Sequence, residues 1–565
     1  MSRDGNRAWR YALAASIVFQ TLLAVNAQAS TYVVYIPLDS PIYNELEELN
    51  GLGYLNTYLD EVKPISRIEA ARLTLEATAS LSESGHYDPL ATALTRALDR
   101  QLRNEISWLR NDQEDDQPNT IQPLDRVEGE YIYSGGPARY WKVSPNATVF
   151  AQEATPLLPY NDGLPTKLGS NEILRASGWM GLGGFLTGYS EGAIAGPVNQ
   201  SIPRVSRAQL LGTEVVASFG NVAVSFGQHE RWWGTGHFGS LAMSDNAVPF
   251  WGVTIDNIHP TRLPGILRYL GPGRRELFMG QGDGDRVWSH PWIVGSNLVF
   301  KPLPWVEMGI TRDIMFGGAH NDRYNNTTGF LGRFTGIATG NPSNGQTKSQ
   351  GGAYLKFYFP SLRNMQVYQE IVGDDNLTKE IPQLGHYLPF LSVSYQGGIY
   401  IPRLTNDGLT DLRFEYTILE PNYSVEGGES LYFTYDGQFI GDALGPNATE
   451  VDVQVGRWFQ LRHKVSLRLF YTEQAFGVST HEFYPFRYYP YETGKEHSVG
   501  AMLDLTSLPA PIKPFKHLHA DILGNWHAKI AFEYANALNY QAGANSYRMM
   551  LMLSTSVMPN WDFRF

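Results

Sequence analysis

The chain contains no cysteine, so neither a disulfide framework nor a thiolate metal or catalytic site is available to it. Basic residues are outnumbered: Lys+Arg total 44 against 56 Asp+Glu, a formal charge of −12. That balance argues against a general nucleic-acid binder, which would carry a basic footprint. Common catalytic motifs are missing as well. No Gly-x-Ser-x-Gly elbow, phosphate loop or His-Glu-x-x-His zinc site occurs in the 565 residues. Long apolar runs are scarce. One extends from Tyr11 to Val25, after Arg3, Arg7 and Arg10 and before Ala27-Gln28-Ala29. This reads as a secretory signal peptide over residues 1–29, because the run is shorter than the ~20 residues a spanning helix needs. No later run is long enough and free enough of charge to cross a membrane as a helix.

What the chain has in quantity is aromatic and small residues. Tyr 32, Phe 27 and Trp 13 make up 13% of it, beside 56 glycines. Residues 30–116 read as helical. Ser40 can cap, Pro41 suits a first helical position, and Ile42, Leu46 and Leu49 share a face until Gly51. Ser66-Arg67-Ile68-Glu69 has the form of a capping box. A third helix is expected from Asp88-Pro89, with a stripe of Leu90, Leu94, Leu98, Leu102, Ile106 and Leu109. Helices this short need each other or a larger body to bury that stripe. Glu114-Asp115-Asp116 with Pro118 and Pro123 then marks a linker over residues 117–130.

Beyond it, over residues 131–565, the period becomes two. Val451, Val453 and Val455 alternate with Asp452 and Gln454, and Val465, Leu467, Leu469 and Tyr471 with Lys464, Ser466 and Arg468. Leu412, Phe414 and Tyr416 alternate with Arg413 and Glu415, and the chain ends in Trp561-Asp562-Phe563-Arg564-Phe565. Alternation alone fits a two-sheet sandwich or a membrane barrel. Export without a spanning helix, and aromatics gathered near strand ends, favour the barrel. At about 10 residues per crossing, the remaining stretch of about 435 residues allows around 16 to 20 strands. The expectation is a mainly β protein: an antiparallel outer-membrane barrel of 18 strands, the helical part lying in the periplasm.

Residues with chemical potential sit between strands. Gln228-His229-Glu230-Arg231-Trp232-Trp233-Gly234-Thr235-Gly236 combines an imidazole, a carboxylate, a guanidinium and two indoles. Indoles cover the apolar face of a sugar ring while Glu and Arg bridge its hydroxyls. The same residues also suit a structural corner, with Arg231 paired to Glu230 or stacked on Trp232. Asp283, Asp285 and Arg286 lie in a glycine-rich turn with only a fragment of a calcium loop. Glu370 and Asp374 form a further acidic group, and Tyr488 and Tyr489 belong to an aromatic stretch that reads as an outer loop or a membrane girdle. All are candidates to bind a glycan or to support such a site. No catalytic residue, metal or cofactor is expected.

Four stretches resemble the Wzi-type capsule assembly family of outer-membrane proteins. They are Tyr35-Ile36-Pro37-Leu38-Asp39-Ser40-Pro41-Ile42-Tyr43 with the helices after it; the His229 to Gly236 motif with Ser244-Asp245-Asn246-Ala247-Val248-Pro249; Tyr368-Gln369-Glu370-Ile371-Val372-Gly373-Asp374-Asp375; and Asp411 to Tyr416 with Gly441-Asp442-Ala443-Leu444-Gly445-Pro446-Asn447-Ala448. The resemblance implies an 18-stranded barrel with a closed lumen, a small periplasmic helical bundle, and a lectin role holding capsular or exopolysaccharide at the cell surface. Thr235 stands where the family commonly has proline, and Gln369 where an acid is frequent. The partners expected are that polysaccharide, outer-membrane lipid and the polysaccharide export machinery, around a monomer. A porin-like channel, and an outer-membrane hydrolase using Glu230 with Asp245 or Glu370, are the competing readings.

Overall fold

The computed structural model of the protein describes residues 31–111, 117–141, 151–153, 155–164, 166–196, 208–284, 286, 288–319, 347–374, 378–381, 386–389, 393–420, 423, 433–475, 495–512, 522–541, 543–559 and 561–565. The expected signal peptide and the acidic run at 114–116 lie outside these residues.

Eighteen long strands close into one antiparallel barrel. In chain order they are β1 (Thr120–Gly135), β2 (Gly169–Leu182), β3 (Leu186–Gly196), β4 (Glu214–Phe219), β5 (Val222–Gln228), β6 (Trp251–Asn257), β7 (Pro272–Gln281), β8 (Trp292–Leu303) and β9 (Val306–Phe316). The second half holds β10 (Thr347–Phe359), β11 (Met365–Asp374), β12 (Val393–Ile401), β13 (Thr410–Ile418), β14 (Ala448–Phe459), β15 (His463–Ala475), β16 (Lys495–Ser507), β17 (Leu523–Asn536) and β18 (Ser546–Met558). Closure is made by β1, in which Val127 lies opposite Ala176 of β2 on one side and Val557 of β18 on the other. The ladder therefore runs round without an edge, the one sheet arrangement that lipid tolerates.

The alternation read from the sequence sets which face is wet. In β15, Leu467, Leu469 and Tyr471 are 47%, 52% and 41% exposed. Register carries this outward row across neighbouring strands: Phe414 lies opposite Val453, Val453 opposite Leu469, Leu469 opposite Ala501, Ala501 opposite Phe532, and Phe532 opposite Met549. A continuous apolar band of this kind is a lipid-facing belt. On the inner face, Arg468 donates to Asp452 at 2.6 Å and to Glu450 at 2.7 Å. Among the described residues no helix is long and apolar enough to cross a membrane, so the strands are the spanning elements.

Among the described residues four helices precede the barrel: α1 (Pro41–Gly51), α2 (Arg67–Glu83), α3 (Pro89–Gln101) and α4 (Arg103–Arg110). Ser40 caps α1 by accepting from the Ile42 amide, with proline in its first turn. The capping box is half made. Ser66 accepts from the Glu69 amide at 3.2 Å, but the Glu69 carboxylate turns away to Arg72 and to His259, 2.6 Å distant. The expected third helix divides into two at Leu102, whose φ of −114° and ψ of 29° leave the helical region. Its leucine stripe is buried nonetheless. Leu90, Leu94, Leu98, Leu102 and Ile106 pack on Leu46, Leu49 and Leu73 and on Trp458 and Leu508 from the barrel mouth. The larger body those helices need is the barrel itself.

The linker expected at 117–130 is corrected by the structure, because β1 begins at Thr120. Its ladder with β2 shifts register between Gln122 and Arg126. Pro123, with no amide hydrogen, sits within that bulge, one of the few places a strand accepts it. What read as linker punctuation is a bulge in the first strand.

The inward and outward rows give a direct test. Leu469→Arg puts a charge into the lipid belt, at a cost of about 2–4 kcal/mol near midplane. Ser466→Arg points into the polar interior. We expect the first to lower the yield of heat-modifiable barrel far more than the second; equal yields would contradict this orientation.

Candidate functional site

The chain leaves β5 at Gln228 and, instead of passing outward, folds into the lumen over residues 229–250. Trp233 is 0% exposed, and His229, Glu230, Arg231 and Trp232 are all buried. Inside, Trp232–Trp233 form a short antiparallel ladder with Val62–Lys63 from the helical segment, Val62 facing Trp233 and Lys63 facing Trp232. The motif is thus the seam between the amino-terminal segment and the barrel.

Each side chain of the motif has a separate partner. Arg231 donates to Glu276 at 2.9 Å, to Thr254 at 2.6 Å and to the His229 carbonyl at 3.0 Å. Its guanidinium lies over the Phe278 ring, 4.0 Å from the centroid. The Trp233 indole donates to the second oxygen of Glu276 at 3.1 Å. Arg231 is therefore paired neither to Glu230 nor to Trp232, and the corner is built on Glu276. Glu230 instead accepts from the Leu38 amide at 2.7 Å. Burial, reinforced by Asp162, Glu191 and Asp39, pushes its carboxyl well above the ordinary range. His229 contacts Glu214 at 2.9 Å and meets the edge of Tyr35 at 4.6 Å between ring centres.

Beyond the indoles the loop is held by its backbone. Gly234 has φ of 149°, and a Cβ there would strike the Glu370 carboxylate, so the position requires glycine. Glu370 accepts from the Thr235 amide at 3.1 Å, and Glu415 accepts from His237 and Phe238 at 2.7 and 3.0 Å. Farther on, Asp245 is raised to about 8 and Asp442 to about 7, in both cases first by burial.

From the other side the helical segment fills the opening. Asp39 pairs with Arg126 at 2.5 Å, Glu48 with Lys464 at 2.8 Å, Asp60 with Lys356 at 2.5 Å, and Glu47 with Arg413. Burial works against the Asp39 charge, but Arg126 and Arg175 outweigh it and hold that carboxyl down at about 2. Between this plug and the inward loop lie two adjoining cavities of about 340 and 250 Å³. Trp232, His237, Glu47, Arg413 and Lys529 line the larger.

The remaining candidates fall elsewhere. Asp283 and Arg286 form a second cluster in the connection between β7 and β8. Arg286 donates to Asp283 at 2.8 Å and to the Thr434 carbonyl at 2.6 Å, and Asp283 accepts from the Asp436 amide at 2.8 Å. This latch joins two loops at the end of the barrel opposite the helices. Half-buried Trp288 and Tyr435 lie beside it, and His290 is exposed. Asp374 closes the outer end of β11, opposite Gln350. Asp285, Tyr488 and Tyr489 lie outside the described residues. The structure brings His229 to Trp233 together with Glu370 beneath one loop, and sets Asp283 and Arg286 apart. Glu276, Glu415 and Asp442 were missed. The signal for Glu415 was its place on the polar face of an alternating strand, and that for Asp442 its place in a stretch that carried the resemblance; Glu276 gave none.

A family model described as capsule assembly protein Wzi matches residues 141–506. The chain belongs to the Wzi capsule assembly family. A solved Wzi structure from Escherichia coli, described as an outer-membrane carbohydrate-binding β-barrel involved in group 1 capsule assembly, is 17% identical. It superposes with a TM-score of 0.60 over 94% of this chain and 99% of that one. A Klebsiella pneumoniae protein, described as an uncharacterized 55.8 kDa protein in the cps region, is 27% identical over 203 residues, 35% of this chain. The match spans 38% of that relative's length. The Wzi family match and the Wzi-like fold together place this chain among outer-membrane barrels.

The corner predicts specific losses. Trp233→Ala, emptying a fully buried site, is expected to cost about 3–5 kcal/mol. Arg231→Ala leaves Glu276 a buried charge without its cation, a change of about 3–5 kcal/mol. Both should lower the thermal unfolding midpoint in detergent; an unchanged midpoint for either would show that the motif does not hold the lumen closed.

Proposed function

We propose that the protein binds capsular or related exopolysaccharide at the outer face of the membrane without transforming it. The observation that carries this reading is the occupation of the lumen by the plug and the inward loop. The helical plug and the inward loop meet at the Val62–Lys63 and Trp232–Trp233 ladder, and Asp39, Glu48, Asp60 and Arg231 are paired to the wall. Such an interior leaves the outer loops as the ground where a polymer can be met. The carbohydrate binding described for Escherichia coli Wzi points the same way.

Within the outer face, the cluster around Asp283 and Arg286 is the place we assign to sugar contact. It combines a fixed ion pair with the half-buried rings of Trp288 and Tyr435. A ring face beside charged hydrogen-bonding groups is the usual chemistry for a pyranose. The hydrolase reading loses ground because Glu230, Asp245 and Glu370 are all buried, and Glu230 and Glu370 are engaged by backbone amides of the plug and the inward loop. The barrel closes on its own strands, so we take it to act as a monomer. Its helical end is the side on which export machinery would meet it.

Polysaccharide purified from the surface of the host strain should bind the detergent-solubilised protein, and no new reducing ends should appear. Trp288→Ala should weaken binding roughly 2–10-fold, the range set by one aromatic contact, with the barrel still folded and heat-modifiable. Stable conductance steps in planar bilayers would support the channel reading instead, and unaltered binding by Trp288→Ala would move the contact to another loop.

A further inference from the structure

Asp60 and Glu61 immediately precede the plug residues that pair with the motif. Glu61 is 0% exposed, and neither of its carboxylate oxygens has a hydrogen-bond donor. Facing it from β9 is Glu307, also 0% exposed. One oxygen of Glu307 accepts from Lys301 at 2.6 Å and from the Tyr358 hydroxyl at 3.1 Å; the other has no donor. Asp60 is taken by Lys356 at 2.5 Å, and the same ammonium lies 3.5 Å from Glu61. One oxygen from each of the three acids falls within 4.8 Å of the others.

The charges in this cluster do not balance. Asp60, Glu61 and Glu307 bring three negative charges, and Lys301 and Lys356 bring two positive ones. Buried away from water, two facing carboxylates do not both ionise. A divalent cation would reverse the imbalance and press against two ammonium groups already in contact with the same acids. A single proton leaves the cluster neutral and gives a donor to the oxygens that lack one. The charged and titratable groups around the pair are Asp60 and Lys63 on the plug, Lys301 on β8, Lys356, Tyr354 and Tyr358 on β10, Glu370 on β11, and Arg274 on β7. Arg274 holds the Val62 and Pro64 carbonyls at 2.5 and 3.1 Å. Burial first, and Glu307 second, push the Glu61 carboxyl well above its ordinary range.

We infer that Glu61 keeps a proton and donates it to the Glu307 carboxylate, and that this carboxyl–carboxylate hydrogen bond clamps the plug to the barrel wall. Its position makes the clamp a junction of three parts, since the Glu61 carbonyl also accepts from the Gly234 amide of the inward loop at 3.0 Å. The sign of its pH dependence follows. A carboxyl held above its unfolded value adds stability that is complete at low pH and disappears as pH rises through the folded value. The plug is therefore held most firmly in mild acid and loosens toward alkaline pH.

The test uses the full chain in detergent, with Glu61→Gln and the reciprocal Glu307→Gln. The unfolding midpoint is followed from about pH 6 to about pH 9, and the infrared absorption of protonated carboxyl groups is recorded at the acid end. Wild type should lose midpoint as pH rises. Glu61→Gln should keep the wild-type midpoint at the acid end, because its amide donates to Glu307 in the proton's place, and should show a flatter pH profile. Its spectrum should lack one protonated-carboxyl contribution present in wild type. If Glu61→Gln fails to fold, Glu307→Gln reads out the same two quantities. An identical pH slope with an unchanged carboxyl absorption would overturn the proposal. So would a wild-type midpoint that falls with chelator and recovers with calcium, which would put a metal ion where we place the proton.

Discussion

The interior of this barrel is built from charges that must find one another. Strand periodicity sends apolar side chains to lipid, so polar ones are forced inward, and they either face water or are matched by protein. Here plug and inward loop supply the matches: Asp39 for Arg126, Glu48 for Lys464, Asp60 for Lys356, and both Arg231 and Trp233 for Glu276. Buried pairs of this sort add little net stability against apolar replacements, yet removing one partner costs about 3–5 kcal/mol. Their effect is to fix one arrangement of plug and loop and to penalise every other.

On the proposed reading this division also separates structure from function along the barrel axis. The family-like motif with its two indoles resembles a sugar platform when read as a string, because indole, carboxylate and guanidinium are the chemistry of glycan contact. In space the same chemistry is consumed internally. Arg231 spends its donors on Glu276, Thr254 and its own loop, and Trp233 is wholly buried. On the proposed reading the polymer meets the outer loops, where the half-buried rings of Trp288 and Tyr435 lie beside the Asp283–Arg286 pair.

Much of the fold was legible because its signals are local. Alternation in Val451 to Val455 and in Val465 to Tyr471 fixed strand, face and lipid contact together, since a period of two allows one answer once one side meets lipid. Ser40-Pro41 and Asp88-Pro89 marked helix starts for equally local reasons. The misreadings share the opposite property. Pro123 is a linker signal until the bulge opposite Gly178 is known, and the stripe from Leu90 to Leu109 hides a break at Leu102 because both halves pack on the same core. The partner of Arg231 lies 45 residues away at Glu276. A neighbouring Glu230 offered a simpler pairing, and no periodicity distinguishes the two. Register between distant strands decides it, and register is a property of the closed barrel.

The seam between Val62–Lys63 and Trp232–Trp233 shows how dependent that closure is. A ladder of two residues on each side is too short to persist alone in water. It is held from the barrel wall by Arg274, which grips the carbonyls of Val62 and Pro64, and by Glu276, which fixes the indole of Trp233 from the adjoining position on the same strand face. Both residues lie on β7, so that single strand positions the two strands of the seam. With β7 out of register the plug carbonyls would lose their guanidinium and the indole of the inward loop its carboxylate. That one strand therefore couples plug to inward loop, because losing its register removes a partner from each.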